Sequence, residues 1–458
     1  MHDSDVTTHW TIRLRELAKE YRVPGAVLGI WADRQLTVAA HGVLSHATHV
    51  EVTADSLFQI GSITKVWTTT MIMQLIEEGR LSLDTTVAEV LPGVRIGTPD
   101  GSGEITIRHL VTHSSGIDGD VLTDTGRGSD CLERYAALLG GVPRTFTPGA
   151  AFSYCNSGFM LLGRIVEALD GGEWDQSLRR RLIGPLGLKE TVTLPEEAIL
   201  HRAAVGHREF PNENEPYPIW AIPRSSGPAG VITASAHDVL TFARMHMDGG
   251  VSQDGTRVLG QDLVQAMQQP QISIPTAGPE PEMVGLAWML TPWDGKPVIG
   301  HDGSTIGQAS HLRIAPDAGV AVCLLTNASS ARALYQALFA EVFREYTGMT
   351  LSPSPGPTAE PVNVDLERHV GHYERTSHSL DVSLRDGKLH VVSTMTGELA
   401  AFNEVEPEEL DLHPADSSGD HFVARSHDHQ PWVDVNFGQL ADGTPYILGG
   451  GRVTPRVE

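Results

Sequence analysis

Apolar positions recur first at helical spacing. Trp10, Leu14, Leu17 and Tyr21 share one face of a predicted helix over residues 7–21, which Pro24-Gly25 ends. Two apolar runs follow, residues 26–31 and 36–40, parted by the polar pair Asp33-Arg34, a pattern that predicts a hairpin. An amphipathic helix is predicted to begin near Ser62, in the stretch SITKVWTTTMIMQLIEEG, and to stop at Gly79. To about residue 290 the pattern is helical and loop-rich, with many Pro and Gly breaks. Strands return in PVIGHDG and in QASHLRIAPDAGVAVCLLTN, where Pro316-Asp317-Ala318-Gly319 turns between two apolar runs, and a helix is expected over residues 331–346. The expected architecture is therefore α/β of the α+β kind. An antiparallel sheet takes strands from both ends of one domain, helices flank it, and a helical insertion lies between.

The texture changes after residue 348. Residues 349–363 are rich in proline and have no periodicity, which marks a linker. Beyond it SLDVSLRDGKLHVV alternates and turns at Asp386-Gly387, a hairpin signature, and HFVARS, PWVDVNFGQL and PYILGG continue in the same manner. This predicts a catalytic-sized domain at 1–348, a linker at 349–363 and a small all-β barrel or sandwich at 364–458. A chain of 458 residues accommodates such a division, since domains average roughly 150 residues.

Charge narrows the partners. With 57 acidic and 33 basic residues the formal charge is −24, and no Lys/Arg stripe interrupts that field. Phosphate backbones and anionic membranes are repelled, so neither nucleic acid nor membrane is expected. The N-terminal MHDSDVTTHWTIRLREL has no basic segment followed by an apolar core, and no run of about 18 apolar residues occurs, so a cytoplasmic location is expected. Cys131, Cys155 and Cys323 are odd in number and widely spaced, which suits reduced thiols packed as small hydrophobes rather than a disulfide framework or a zinc site. His427-Asp428-His429 with His421, and the i,i+4 pair His109 and His113, lack a full ligand set, so no metal and no cofactor is expected.

Three short motifs carry the candidate chemistry. In Gly61-Ser62-Ile63-Thr64-Lys65, helical spacing brings Lys65 to the Ser62 hydroxyl, and the helix N-terminus offers N–H groups to a developing anion. Serine needs a base to become a nucleophile. Ser-x-x-Lys alone arises often by chance, as a Ser cap followed by a surface Lys. Downstream, Ser153-Tyr154-Cys155-Asn156 precedes the apolar helix FMLLGRIVEAL, where a phenol and an amide two residues apart can serve as base and as hydrogen-bonding group. Their structural alternatives are a half-buried aromatic and a helix cap. Later, Gly300-His301-Asp302-Gly303-Ser304 sits on a strand edge. Its glycines admit a substrate backbone, His301 can donate to a leaving group or carboxylate, and the Ser304 N–H can pair with that of Ser62 as an oxyanion hole.

Taken together and in this order, the motifs resemble the Ser-x-x-Lys, Tyr-x-Asn and Lys/His-x-Gly set of class C β-lactamases, D-alanyl-D-alanine peptidases and related esterases. Supporting stretches include FQIGSITK, IRHLVTHSSGI, FTPGAAFSYCNSGFMLLGRIVE, IGPLGL and SGPAGVITASAHDVLTFARM, and the resemblance covers about residues 10–348. It implies Ser62 as nucleophile, Lys65 and Tyr154 as the base system, Asn156, His301 and Gly303 on the substrate side, and the Ser62 and Ser304 N–H groups as the oxyanion hole. Two departures weigh against strong β-lactamase activity: His301 stands where lysine is usual, and Asp302 stands where a small hydroxyl residue is usual.

The proline-rich linker and all-β segment look like the lipocalin-like addition of some peptidases in that family. They also resemble the free-standing penicillin-binding-protein-type thioesterases that cyclise nonribosomal peptides, as do GIDGDVLTDTGRGSDCLERY and the C-terminal GGGRVTP. That resemblance implies a role for Arg452 in binding a carboxylate or carbonyl over the active site, against the alternative of a solvated arginine. The expected function is serine acyl-enzyme chemistry on a peptidyl ester, thioester or amide, with head-to-tail macrocyclisation as the special case and a carrier protein as a possible means of delivery. A cytosolic esterase or a D-specific peptidase or amidase is the alternative. A catalytically inactive ligand-binding protein is the alternative from another class.

Overall fold

The computed structural model describes residues 3–97, 100–208, 215–275, 283–329, 331–351, 356–359, 365–397, 406–426 and 432–457. The chain forms two compact units, Met1–Leu81 with Val166–Gln269 and Trp288–Leu351, and Ser82–Ile165 with Pro270–Ala287 and Ser352–Glu458. Residues 352–355, 360–363 of the expected linker lie outside the described residues.

In the first unit, helix α1 (Asp3–Glu20) leads into the predicted hairpin, β1 (Gly25–Ala32) and β2 (Gln35–Gly42). Asp33 and Arg34 both take positive φ, +50° and +63°. That is the backbone of a two-residue turn whose twist matches the flanking strands. Four more strands come from the other end of the unit: β3 (Met289–Trp293), β4 (Lys296–Thr305), β5 (Gln308–Ala315) and β6 (Val320–Thr326). They pair antiparallel in the order β2-β1-β6-β5-β4-β3, so the N-terminal hairpin joins the C-terminal strands through β1 and β6.

The sheet is covered on both faces. Ala26, Leu28 and Ile30 of β1 and Val322 and Leu324 of β6 share one core with Trp10, Leu14 and Leu17 of α1 and with Leu334, Leu338, Phe339, Val342 and Phe343 of the helix Arg332–Thr347. On the other parity, a Cβ at Gly29 would lie 2.8 Å from Leu240 of the helix Ala236–Met247, so the missing side chain lets that helix settle on the sheet. Two-sided burial explains why β6 reads as an apolar run, and β5 is equally buried although it carries Gln308, Ser310, His311 and Arg313.

Two expectations are corrected here. The helix after Ser62 is not amphipathic: α2 (Thr64–Glu77) is buried from Thr64 through Leu75. Two of its threonines place their hydroxyls on carbonyls, Thr68 Oγ1 on Pro228 O at 2.8 Å and Thr70 Oγ1 on Val66 O at 2.8 Å. Nor is the GHDGS strand an edge, because β4 is paired on both sides, by β3 and β5.

The second unit holds the short helix Ile107–Val111, the helix Cys131–Leu138 and the start of the helix Asn156–Asp170, followed from Gly371 onward by nine antiparallel strands among the described residues. One sheet runs β7 (Gly371–Arg375), β8 (His378–Arg385), β9 (Lys388–Met395), β10 (Glu408–Asp411). The other runs β11 (His413–Pro414), β12 (His421–Ala424), β13 (Val433–Gln439), β14 (Pro445–Gly449), β15 (Arg452–Pro455). A bridge between Tyr373 and Arg456 joins the first strand to the end of the last, around a core that includes Tyr373, Leu389, Phe422, Phe437 and Ile447. The predicted turn Asp386-Gly387 is present, with φ of +51° and +75°. The three cysteines are buried and none is in a disulfide.

Candidate active site

Two glycines shape the nucleophile's surroundings. The chain leaves the short strand Phe58–Gln59, passes through Gly61 at φ +51°, and makes a 3-10 turn over Gly61–Ile63 before α2 begins. Ser62 thus sits on that turn, and Lys65 is the second residue of the α-helix. A Cβ on Gly61 would lie 2.6 Å from the Ser304 nitrogen, and a Cβ on Gly303 would lie 2.0 Å from the Ile60 oxygen. Only glycine at both positions permits β4 to come this close, and the approach places the Ser304 amide beside the Ser62 turn. Two buried side chains from β5 fasten the same approach. Ser310 Oγ donates to Ile60 O at 2.7 Å, and the Gln59 N–H donates to Gln308 Oε1 at 3.1 Å.

Lys65 is fully buried. Its Nζ lies 2.8 Å from Ser62 Oγ and donates to Ala229 O, also at 2.8 Å. The helical spacing seen in the sequence therefore becomes a direct contact, with the second bond fixing the amine.

His301, at 2% exposure, lies mid-strand on β4. Its Nδ1 donates to Asp302 O at 2.6 Å, which leaves Nε2 as the acceptor nitrogen. Burial, and then the charge of Lys65, push His301 down to about 3, so the ring is neutral at neutral pH. The neighbouring Asp302 is no free anion. Arg313 Nη1 and Nη2 hold its two oxygens at 2.6 and 3.1 Å, and His311 Nδ1 adds a contact at 2.9 Å. Desolvation opposes its charge, yet Arg313, followed by His311, keeps the carboxyl well below the usual carboxylate range. Tyr335 backs this group, with the His311 ring stacked on it at 4.2 Å. Asp302, which stands where a small hydroxyl residue is usual, thus has its charge paired by Arg313 on the neighbouring strand.

In the second unit, Tyr154 precedes the helix Asn156–Asp170, of which Asn156 is the first residue. Asn156 Nδ2 donates to Asp120 Oδ1 at 2.9 Å. Asp120 also receives Arg452, Nε at 3.0 Å and Nη2 at 3.1 Å, and Arg375 Nη1 at 3.0 Å. Desolvation works against the Asp120 carboxylate, but Arg452 and Arg375 hold it well below its ordinary range. Arg452 therefore spends its fork on Asp120, with Nη1 on Gly450 O at 2.7 Å, and its guanidinium lies 4.8 Å above the Tyr154 ring. It is half-buried, and its fork is engaged by Asp120 rather than open to a carboxylate. The C-terminal segment also grips the loop by its backbone. The Tyr154 N–H donates to Gly451 O at 2.8 Å, and the Val453 N–H donates to Ser153 Oγ at 3.1 Å.

Asp120, Arg313 and His311 escaped the sequence reading. The one available signal for Asp120 was chemical, since an amide donor at a helix start needs an acceptor, but nothing in the pattern pointed to a residue 36 positions earlier. His109 serves its helix, its Nδ1 accepting the Thr106 N–H at 3.2 Å. His427, Asp428 and His429 lie outside the described residues. Among the described residues no group of three or more His, Cys, Asp or Glu could hold a metal ion, and no helix is long and apolar enough to cross a membrane.

Residues 12–343 match the family described as Beta-lactamase. Penicillin-binding protein 4 of Amycolatopsis lactamdurans is 44% identical over 371 residues, which cover 80% of this chain and 97% of that protein. Among solved structures, SurE superposes with a TM-score of 0.78 at 29% identity over 99% of both chains, and SurE with D-Leu with a TM-score of 0.75. With the motif residues placed as described and this extent of likeness, the chain belongs to the β-lactamase family of serine hydrolases.

Proposed function

We propose that the protein is an acyl-enzyme catalyst in which Ser62 is the nucleophile, and that its special task is head-to-tail closure of a peptidyl ester or thioester. The observation that carries the chemistry is the 2.8 Å contact of Lys65 Nζ with Ser62 Oγ, on a turn flanked by the Ser304 amide. In the reactive form Lys65 is a neutral amine. Ala229 O holds one N–H while the lone pair accepts the Ser62 hydroxyl proton. Ser62 Oγ adds to the acyl carbon, and the N–H groups of Ser62 and Ser304 take the negative charge on the carbonyl oxygen. Collapse breaks the bond to the leaving thiol or alcohol, which departs with the proton, and an ester on Ser62 remains. An amine at the far end of the same acyl chain then attacks this ester. Its proton passes back through the relay to Ser62 Oγ, and a lactam is released. Tyr154 shares the base role, Asn156, Gly303 and His301 meet the substrate, and Arg452 acts through its place over Tyr154.

Support for a peptidyl substrate comes from the full-length likeness to SurE, of which one structure is with D-Leu, and from the GGGRVTP segment. We take the acyl group to end in an apolar D-residue, with delivery on a carrier protein in the cytoplasm. Resolution of the ester by water is the second reading, favoured by the 44% relative named as penicillin-binding.

Intact-mass detection after a fluorophosphonate or a penicillin decides the first question. An adduct on the wild-type chain that is absent from Ser62→Ala is expected, and an unmodified wild type under varied conditions would overturn the reading. A linear peptidyl thioester ending in D-Leu then separates the outcomes. The cyclic product is expected, and hydrolysed peptide alone counts against cyclisation.

A further inference from the structure

We infer that His113 is a positioning residue for Tyr154, an inference that rests on the base role just given to Tyr154. His113 follows the helix Ile107–Val111, is fully buried, and takes φ of +58°. A side-chain-bearing residue keeps a left-handed backbone only where its surroundings over-determine it.

Here the surroundings are the three residues centred on Tyr154. The His113 carbonyl accepts the Ser153 N–H at 2.8 Å. Its Nδ1 accepts the Cys155 N–H at 2.9 Å. Its ring lies against the Tyr154 ring, centroids 4.3 Å apart and planes within 22°. One residue thus holds the Phe152–Ser153 peptide, the Tyr154–Cys155 peptide and the phenol's own face. Phe152 and Phe159 wall the imidazole at 5.9 and 5.1 Å.

Because Nδ1 accepts, the ring hydrogen sits on Nε2 and the ring is uncharged while the bond holds. A ring that merely filled the core would need shape alone, whereas this one presents an acceptor to the N–H that follows Tyr154. Proton transfer requires the phenol oxygen within about 2.6–3.2 Å of its partner, so a loose Tyr154 loses rate without losing substrate affinity.

The test is a double-mutant cycle on the full chain, with acylation of Ser62 followed by intact mass and turnover by product formation. His113→Phe keeps the stacked ring and removes the acceptor. It is expected to lower kcat by about 100-fold with KM within about two-fold, the scale of a misplacement near 1 Å. In a Tyr154→Phe background the same substitution is expected to add almost nothing, because His113 acts through the phenol. If His113→Phe does not fold, His113→Gln, which keeps an acceptor but loses the stacked ring, carries the same cycle, with a smaller fall in kcat expected because the Cys155 N–H stays held. Unchanged kcat in the His113 variant, or losses that multiply with those of Tyr154→Phe, would overturn the proposal. A Tyr154→Phe protein at full rate would remove the base reading and the proposal with it, a result distinct from a slow Tyr154→Phe beside an unimpaired His113 variant.

Discussion

The Ser62 segment and the Tyr154 segment are both anchored by buried partners, yet by different forces. Around Ser62 the ties are largely backbone-borne: two glycines without side chains, Ser310 on Ile60 O, Gln308 on the Gln59 N–H, and Lys65 on Ala229 O. Around Tyr154 a single carboxylate, Asp120, gathers Asn156, Arg375 and Arg452, which lie 36, 255 and 332 positions away in the chain. A close-packed backbone fails when an atom is added. A charge hub fails when one is taken away, because what remains is an uncompensated buried cation. The two segments should therefore break under opposite kinds of substitution.

The largest effect is expected from Asp120→Ala. It leaves Arg452 without its carboxylate and Arg375 with Asp118 alone, at 3.4 Å. Breaking a buried pair from one side costs about 3–5 kcal/mol. Urea unfolding should show a loss of that order, together with a large fall in kcat as Asn156 and Arg452 lose their common partner. A loss below about 1 kcal/mol would mean that the hub behaves as a surface ion pair and not as a buried charge cluster.

Next comes Gly303→Ala, an addition. The new methyl would stand 2.0 Å from Ile60 O and 2.4 Å from Ser310 Oγ, so β4 must retreat and carry the Ser304 N–H with it. Loss of one oxyanion donor costs about 2.7–4 kcal/mol of transition-state stabilisation, or about 10²–10³ in kcat. Single-turnover acylation measures it directly. A variant that acylates at the wild-type rate would show that the Ser304 amide has no part in the chemistry.

This contrast also accounts for what the sequence disclosed. Ser62 and Lys65 were legible because helical spacing alone brings residues three apart together. The turns at Asp33-Arg34 and Asp386-Gly387 were legible because two adjacent residues decide a hairpin. The motif order, matched to a family, supplied Tyr154, Asn156 and His301. Asp120 was not legible, since its partners come from the far end of the chain and charge carries no period. The pairing of Asp302 was not legible for the same reason: Arg313 and His311 lie on the next strand, where register rather than sequence proximity sets the contact. The helix after Ser62 was misread as amphipathic because its threonines look polar yet are buried, Thr68 and Thr70 with their hydroxyls on carbonyls.

The smallest effects come from a matched pair that removes one neutral hydrogen bond from each segment. Ser310→Ala deletes the donor to Ile60 O, but that oxygen still receives the Ile63 N–H at 3.3 Å, so the cost should be about 1 kcal/mol. Ser153→Ala deletes the acceptor of the buried Val453 N–H, leaving a donor stranded, which costs about 1–3 kcal/mol. Equilibrium unfolding of the two variants side by side should rank Ser153→Ala as the more damaging, although each loses a single hydroxyl. The ranking follows from what stays behind, a carbonyl with a second partner in one case and an N–H without any in the other. A Ser310→Ala protein that is equally or more destabilised would show that the β5 clip, and not the pair of glycines, holds the nucleophile's turn against β4.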